Sequence, residues 1–197
     1  SYGIYVGSGS DSLSVNDNVL ENIAGDGINI VSGASVEITG NSITDAFSEG
    51  IYFHSGNNTN ISDNDIISSG STAIYYNGSS SSAIVSNNLI EGGGGKGIYL
   101  NSSVTYANIL GNEITGKNSD AIHLNSNCSY AVIDSNLVSG NSYGIFLYDN
   151  NDNANHNDNE TNINILTILI IIMIVVVIMI MVRAKMIRMV MIITIVV

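Results

Sequence analysis

An all-β solenoid of stacked parallel strands is the fold class this sequence predicts, and three observations predict it. A tetrapeptide returns along the chain as Gly3-Ile4-Tyr5-Val6, Gly27-Ile28-Asn29-Ile30, Gly50-Ile51-Tyr52-Phe53, Ala73-Ile74-Tyr75-Tyr76, Gly97-Ile98-Tyr99-Leu100, Ala121-Ile122-His123-Leu124 and Gly144-Ile145-Phe146-Leu147. The spacing is always 23 or 24 residues. A second column, Asn18, Asn41, Asn64, Asn88, Asn112, Asn136 and Asn159, keeps the same step, and chance does not produce seven matched periods.

Each unit reads as three very short strands. In the opening segment the side chains alternate, with Ile51 and Phe53 on one side and Tyr52 on the other. A second alternating pair follows, Val36/Ile38 or Ala131/Ile133, and a third segment begins after the Asn. Gly, Ser and Asn join them, residues that suit turns and disfavour helix. One unit cannot bury its own apolar side. Stacked as coils, the inward Ile, Val and Leu of each unit rest on the next. The result is a right-handed parallel β-helix of about seven coils over residues 1–149, with strands about 4.8 Å apart and a column roughly 34 Å tall.

The Asn column sits among inward residues. An aliphatic lies three before and two after each Asn but the last, as in Ile38-x-x-Asn41-x-Ile43. Asn tolerates left-handed bends, and stacked amides can bond in a ladder, so this column is expected to turn a corner from the inside.

The third place of the tetrapeptide faces out. It reads Tyr5, Asn29, Tyr52, Tyr75, Tyr99, His123, Phe146, and the next outward place adds His54, Asn77, Asn101, Asn125 and Tyr148. Rings one rung apart beside amides suit sugar rings, which pair apolar faces with hydroxyls. The same column also serves as cross-strand packing, and both readings stand. Among carboxylates, Asp26 and Glu49 fall at equivalent places on adjacent coils, which is the pairing a glycosidase needs; acids at turns also simply keep a surface soluble. His54, His123 and His156 fall on different coils and columns, so no metal site or other cofactor is implied.

The repeat resembles the right-handed parallel β-helix repeat family of pectate lyase-like proteins, over residues 1 to about 160. That resemblance implies a polysaccharide as ligand or substrate, in an extracellular or surface protein. A pectate lyase-like site would use arginine beside calcium-binding aspartates, and residues 1–160 hold no Arg. The Gly-His-Gly and Arg-Ile-Lys segments of polygalacturonase-like sites are also missing, and "GIYFH" lacks the Asp and Pro of the Asp-Pro-His segment of alginate epimerases. The expectation is therefore a structural or carbohydrate-binding segment. The alternative is part of a polysaccharide lyase, hydrolase or epimerase, with its active site elsewhere or at Asp26/Glu49.

Charge separates the chain into two kinds of polypeptide. All 17 acids lie at or before Glu160 against only Lys96 and Lys117, a net −15 that disfavours nucleic acid. Residues 150–164 form a degenerate last coil and an Asp/Asn-rich linker. In the tail, 165–197, eighteen uncharged residues ("ILTILIIIMIVVVIMIMV") precede Arg183, Lys185 and Arg188. One reading is a membrane anchor, helical, with a basic stop. The other is a frameshifted linker: GAT and AAT codons for Asp and Asn, read one base later, give the Ile-Met alternation. A chain that opens at Ser1 in mid-repeat is expected to be part of a longer protein.

Overall fold

The computed structural model describes residues 1–148, 151, 154–157 and 160–161. The tail and Asn159 lie outside the described residues. Three seven-stranded parallel sheets run along one compact unit, Ser1–Asn162. The first sheet takes Ile4–Val6, Ile28–Ser32, Ile51–Ser55, Ile74–Asn77, Ile98–Asn101, Asp120–Leu124 and Tyr143–Leu147. The second and third take the short segments on either side of the Asn column, such as Glu37–Thr39 and Ser42–Thr44. Seven rungs, hence six turns, follow one another with each strand paired to its equivalents on the coils above and below.

Register explains the repeat. Ile28, Ile51, Ile74, Ile98 and Ile122 pair in one line, and every one is fully buried. Two places on, Ile30, Phe53, Tyr76, Leu100 and Leu124 form a second buried line. The three-residue strands of the other sheets each send one central residue inward, Ile38, Ile61, Val85, Ile109 and Ile133 in one and Ile43, Ile66, Ile90, Ile114 and Val138 in the other. A strand that short has room for a single inward side chain, so the core is made of columns of stacked, mostly aliphatic neighbours. Tyr76 is the polar exception; its hydroxyl donates to the Gly56 carbonyl (2.8 Å) and meets the Thr59 hydroxyl (3.0 Å).

The Asn ladder forms, in more detail than the sequence gave reason to expect. Each Nδ2 donates 2.9 Å to the Oδ1 of the next coil's Asn, from Asn18 through Asn41, Asn64, Asn88 and Asn112 to Asn136. The same Oδ1 also accepts the backbone N–H of the preceding coil's Asn, as Asn88 Oδ1 does from Asn64 at 3.0 Å. The second Nδ2 proton reaches back to a carbonyl, Ile61 for Asn88. No buried side-chain nitrogen or oxygen lacks a partner among the described residues.

The left-handed bend is not on the Asn itself. It falls one residue earlier, at Asp17, Gly40, Asp63, Asn87, Gly111 and Ser135. Two further left-handed columns mark the other corners: Ser12, Ser35, Asn58, Ser82, Tyr106 and Tyr130, and Asn22, Asp45, Ser68, Gly92, Gly116 and Gly140. Each coil therefore turns three times by the same backbone device, and the Asn side chain fastens the inside of one of those turns.

Candidate functional site

The outward side of the first sheet carries the side chains with chemistry, and it has three stretches. At its centre Tyr52, Tyr75 and Tyr99 pair directly across the strands. Tyr75 and Tyr99 are stacked, 4.9 Å between centroids and 10° between planes, while Tyr52 meets Tyr75 edge-on at 5.3 Å. Behind them Asn77, Asn101 and Asn125 bond to one another at 2.9 and 2.6 Å. Each amide also donates to the tyrosine hydroxyl one rung below: Asn77 to Tyr52, Asn101 to Tyr75 and Asn125 to Tyr99, at 3.0 to 3.2 Å. The rings are thus half-buried by each other. Burial raises the Tyr75 and Tyr99 hydroxyls above the usual tyrosine range, against a smaller opposing effect of the amide bonds, so both stay neutral donors and acceptors at physiological pH.

At the far end stands a polar cluster. Asp120 is buried, and its Oδ2 lies 2.6 Å from His123 Nδ1 and 4.0 Å from Lys96 Nζ. A carboxylate only accepts, so in the neutral ring the tautomer that fits this contact carries its proton on Nδ1 and has Nε2 as acceptor. Lys96 also sits 4.9 Å from the centre of the Tyr99 ring, and His123 packs edge-on to that ring and tilted against Phe146, each at 4.9 Å.

At the near end the aromatic column is interrupted. Asn29 takes the third place, and its small buried side chain donates to Asp26 Oδ2 at 2.5 Å. The missing ring leaves an open groove of about 570 Å³, bordered by Tyr2, Asp26, Asn29, Phe47, Glu49 and Tyr52. Asp26 Oδ1 accepts the Glu49 backbone N–H (3.3 Å); the Glu49 carboxylate accepts from the hydroxyls of Ser48 and Ser71. Each oxygen of Glu49 keeps a lone pair for a ligand. Tyr5 lies half-exposed against Tyr2, stacked at 5.1 Å.

Of the residues singled out from sequence, the structure brings Asp26, Glu49 and Tyr52 to one groove, Tyr75 and Tyr99 to the central stack, and His123 and Phe146 to the far end. Sequence reasoning missed the partner of each polar third-place residue. Asp26-x-x-Asn29 and Asp120-x-x-His123 share one register, an acid three residues ahead of the third place bonding it; that i,i+3 recurrence was the available signal. It also missed Phe47, 81% exposed at the third corner, and Lys117, which is buried. Among the described residues no group of three His, Cys, Asp or Glu is placed to hold a metal ion, and no helix is long and apolar enough to cross a membrane.

The profile of the family described as a right-handed β-helix region matches residues 2–162. The chain belongs to that family. The match spans all seven rungs of this right-handed β-helix. Comparison with curated proteins and with solved structures gives no match.

Proposed function

We propose that this β-helix is a carbohydrate-binding segment of a surface or extracellular protein, and that the groove at Asn29 is where the sugar sits. The observation that carries the reading is the interruption of the aromatic column. From Tyr75 onward each ring packs against a ring on both sides, stacked or edge-on; here the groove opens beside Tyr52, next to the oriented polar groups of Asp26, Asn29 and Glu49. An aromatic wall beside oriented acceptors is what a sugar's apolar face and hydroxyls require. Binding to immobilised glycans tests it. Tyr52→Ala should weaken binding about tenfold, whereas Tyr106→Ala, which removes an exposed ring on another corner, should not. Equal binding by wild type and Tyr52→Ala sinks the proposal.

A second reading is favoured by one observation, the Asp120-oriented His123 beside Lys96, which has the form of a positioned proton acceptor. On that reading the protein modifies a polysaccharide. Product release from polymeric substrates, lost in His123→Ala or in Asp26→Asn with Glu49→Gln, would support it; unchanged release in all of them would remove these residues from the chemistry.

A further inference from the structure

The exposed ring of Phe47 lies at the third corner, where the chain passes from the third sheet back to the first, and it does not border one groove alone. On one side is the Asn29 groove. On the other lies a second open groove of about 580 Å³, lined by Asn22, Asp45, Ala46 and Ser68 among others, and Phe47 and Ala24 border both. Phe47 is therefore a ridge between two hollows of nearly equal size, each within the range of a small-ligand site. A ligand confined to one hollow leaves part of this 81% exposed ring in water, and a chain lying across the ridge covers it.

The charges of the two hollows agree. Asp26 and Glu49 border the first and Asp45, which is exposed, borders the second. Neither is lined by a lysine: Lys96 belongs to the Asp120 cluster, and Lys117 is buried with its ammonium held by Ser69 Oγ and the Ser71 carbonyl. With 17 acids against two lysines over residues 1–160, a polyuronate would be repelled along its whole length. A polymer with protonated amines meets a carboxylate on each side of the ridge.

Resting on the carbohydrate-binding reading, we propose that the ligand is a polymer of amino sugars, bound across the corner over Phe47 with its amines against Glu49 and Asp45. The length of the ligand and the sign of its charge are the two features the corner selects. Asp63, exposed at a different corner, serves as a control of equal charge.

Calorimetry on the full chain separates the possibilities, with a glucosamine hexamer, its dimer, the N-acetylated hexamer and a galacturonic acid hexamer as probes. The glucosamine hexamer should bind most tightly, the dimer at least tenfold more weakly and the galacturonate not at all. Phe47→Ala should bring the hexamer down about tenfold, toward the dimer. Glu49→Gln and Asp45→Asn should each cost about two- to fivefold and flatten the salt dependence, with Asp63→Asn unchanged. Each of these variants changes an exposed or half-buried side chain, and matching thermal melts establish that it folds. Equal binding of the acetylated hexamer, with Tyr52 still required, overturns the amino-sugar inference and leaves the carbohydrate reading standing. An equal loss in Asp63→Asn overturns it by reducing the effect to overall charge, and an unaffected Phe47→Ala overturns the crossing. Binding of none of the four probes overturns the amino-sugar inference, and binding that ignores Tyr52→Ala overturns both.

Discussion

Replacing Asn88 with Ala removes one rung of the amide ladder at mid-height, and the structure sets the size of the effect. Four hydrogen bonds vanish: Nδ2 to Asn112 Oδ1 and to the Ile61 carbonyl, and Oδ1 from the Asn64 backbone N–H and from Asn64 Nδ2. Asn112 Oδ1 keeps the Asn88 backbone N–H, and Asn64 Nδ2 keeps the carbonyls of Ile38 and Ser62. The Asn64 N–H loses the partner it bonds at 3.0 Å, in a place with no solvent exposure. An orphaned buried donor costs about 1–3 kcal/mol and each of the other three bonds about 1, so the variant should lose about 4–6 kcal/mol. Asn18→Ala, at the partly exposed first rung where the amide donates only to Asn41 and Asn16, should lose about 1 kcal/mol. Urea unfolding followed by far-UV circular dichroism measures both. A loss at Asn88 below about 1 kcal/mol, or no larger than at Asn18, would show that water replaces the ladder freely and would refute the argument.

Three further outcomes are expected. Lys117 is buried with its ammonium against Ser69 Oγ (3.0 Å) and the Ser71 carbonyl (3.5 Å), and burial lowers its pKa to about 8. The unfolded chain then holds the extra proton between pH 8 and the ordinary lysine value, so stability rises with pH across that window. At neutral pH the charged form costs the fold about 3 kcal/mol, an upper figure. Lys117→Met should recover much of this and abolish the slope, read between pH 7.5 and 9 as the difference in thermal midpoint between the two proteins; a parallel pH dependence speaks against a buried charge. Asn88→Asp puts a carboxylate opposite two carbonyl-type acceptors and should behave oppositely, losing stability as pH rises above about 4, which acid titration of its melting curve checks. Tyr76→Phe leaves the Gly56 carbonyl without the hydroxyl and should cost about 1–2 kcal/mol in the same urea assay, with equal stability counting against the bond.

The sheets were legible because two signals agree, the 23–24-residue period and the alternation inside "GIYF". The inward placement of the Asn column was legible from the parity of its aliphatic neighbours. The left-handed corners were not, since the columns through Asp17, Gly40 and Asn87 share a backbone conformation while their residue types differ. Outward placement of the tyrosines could be read, but not that Tyr75 and Tyr99 hide their faces in a stack. That depends on side-chain rotation, which the period leaves free. Lys117 escaped for another reason: its column passes from Ile23 and Ala46 to Ser69 and Gly93, and Gly93 on the intervening coil has no side chain to block the reach to Ser69.

The change of step from 23 to 24 residues has its own place. From Phe53 to Tyr76 the step is 23, and from the left-handed Asn58 to Ser82 it is 24, so the added residue enters at the first corner. There the next two coils form a small extra pairing of Ser80–Ser81 with Val104–Thr105. Downstream, Ile61 still lies beside Val85 and Asn64 still donates to Asn88. Such a chain absorbs insertions at its bends as a spiral binding takes an extra tab, with every page behind it still aligned. Length differences between coils are thereby confined to the corners, where the surface can change while the interior keeps its alphabet.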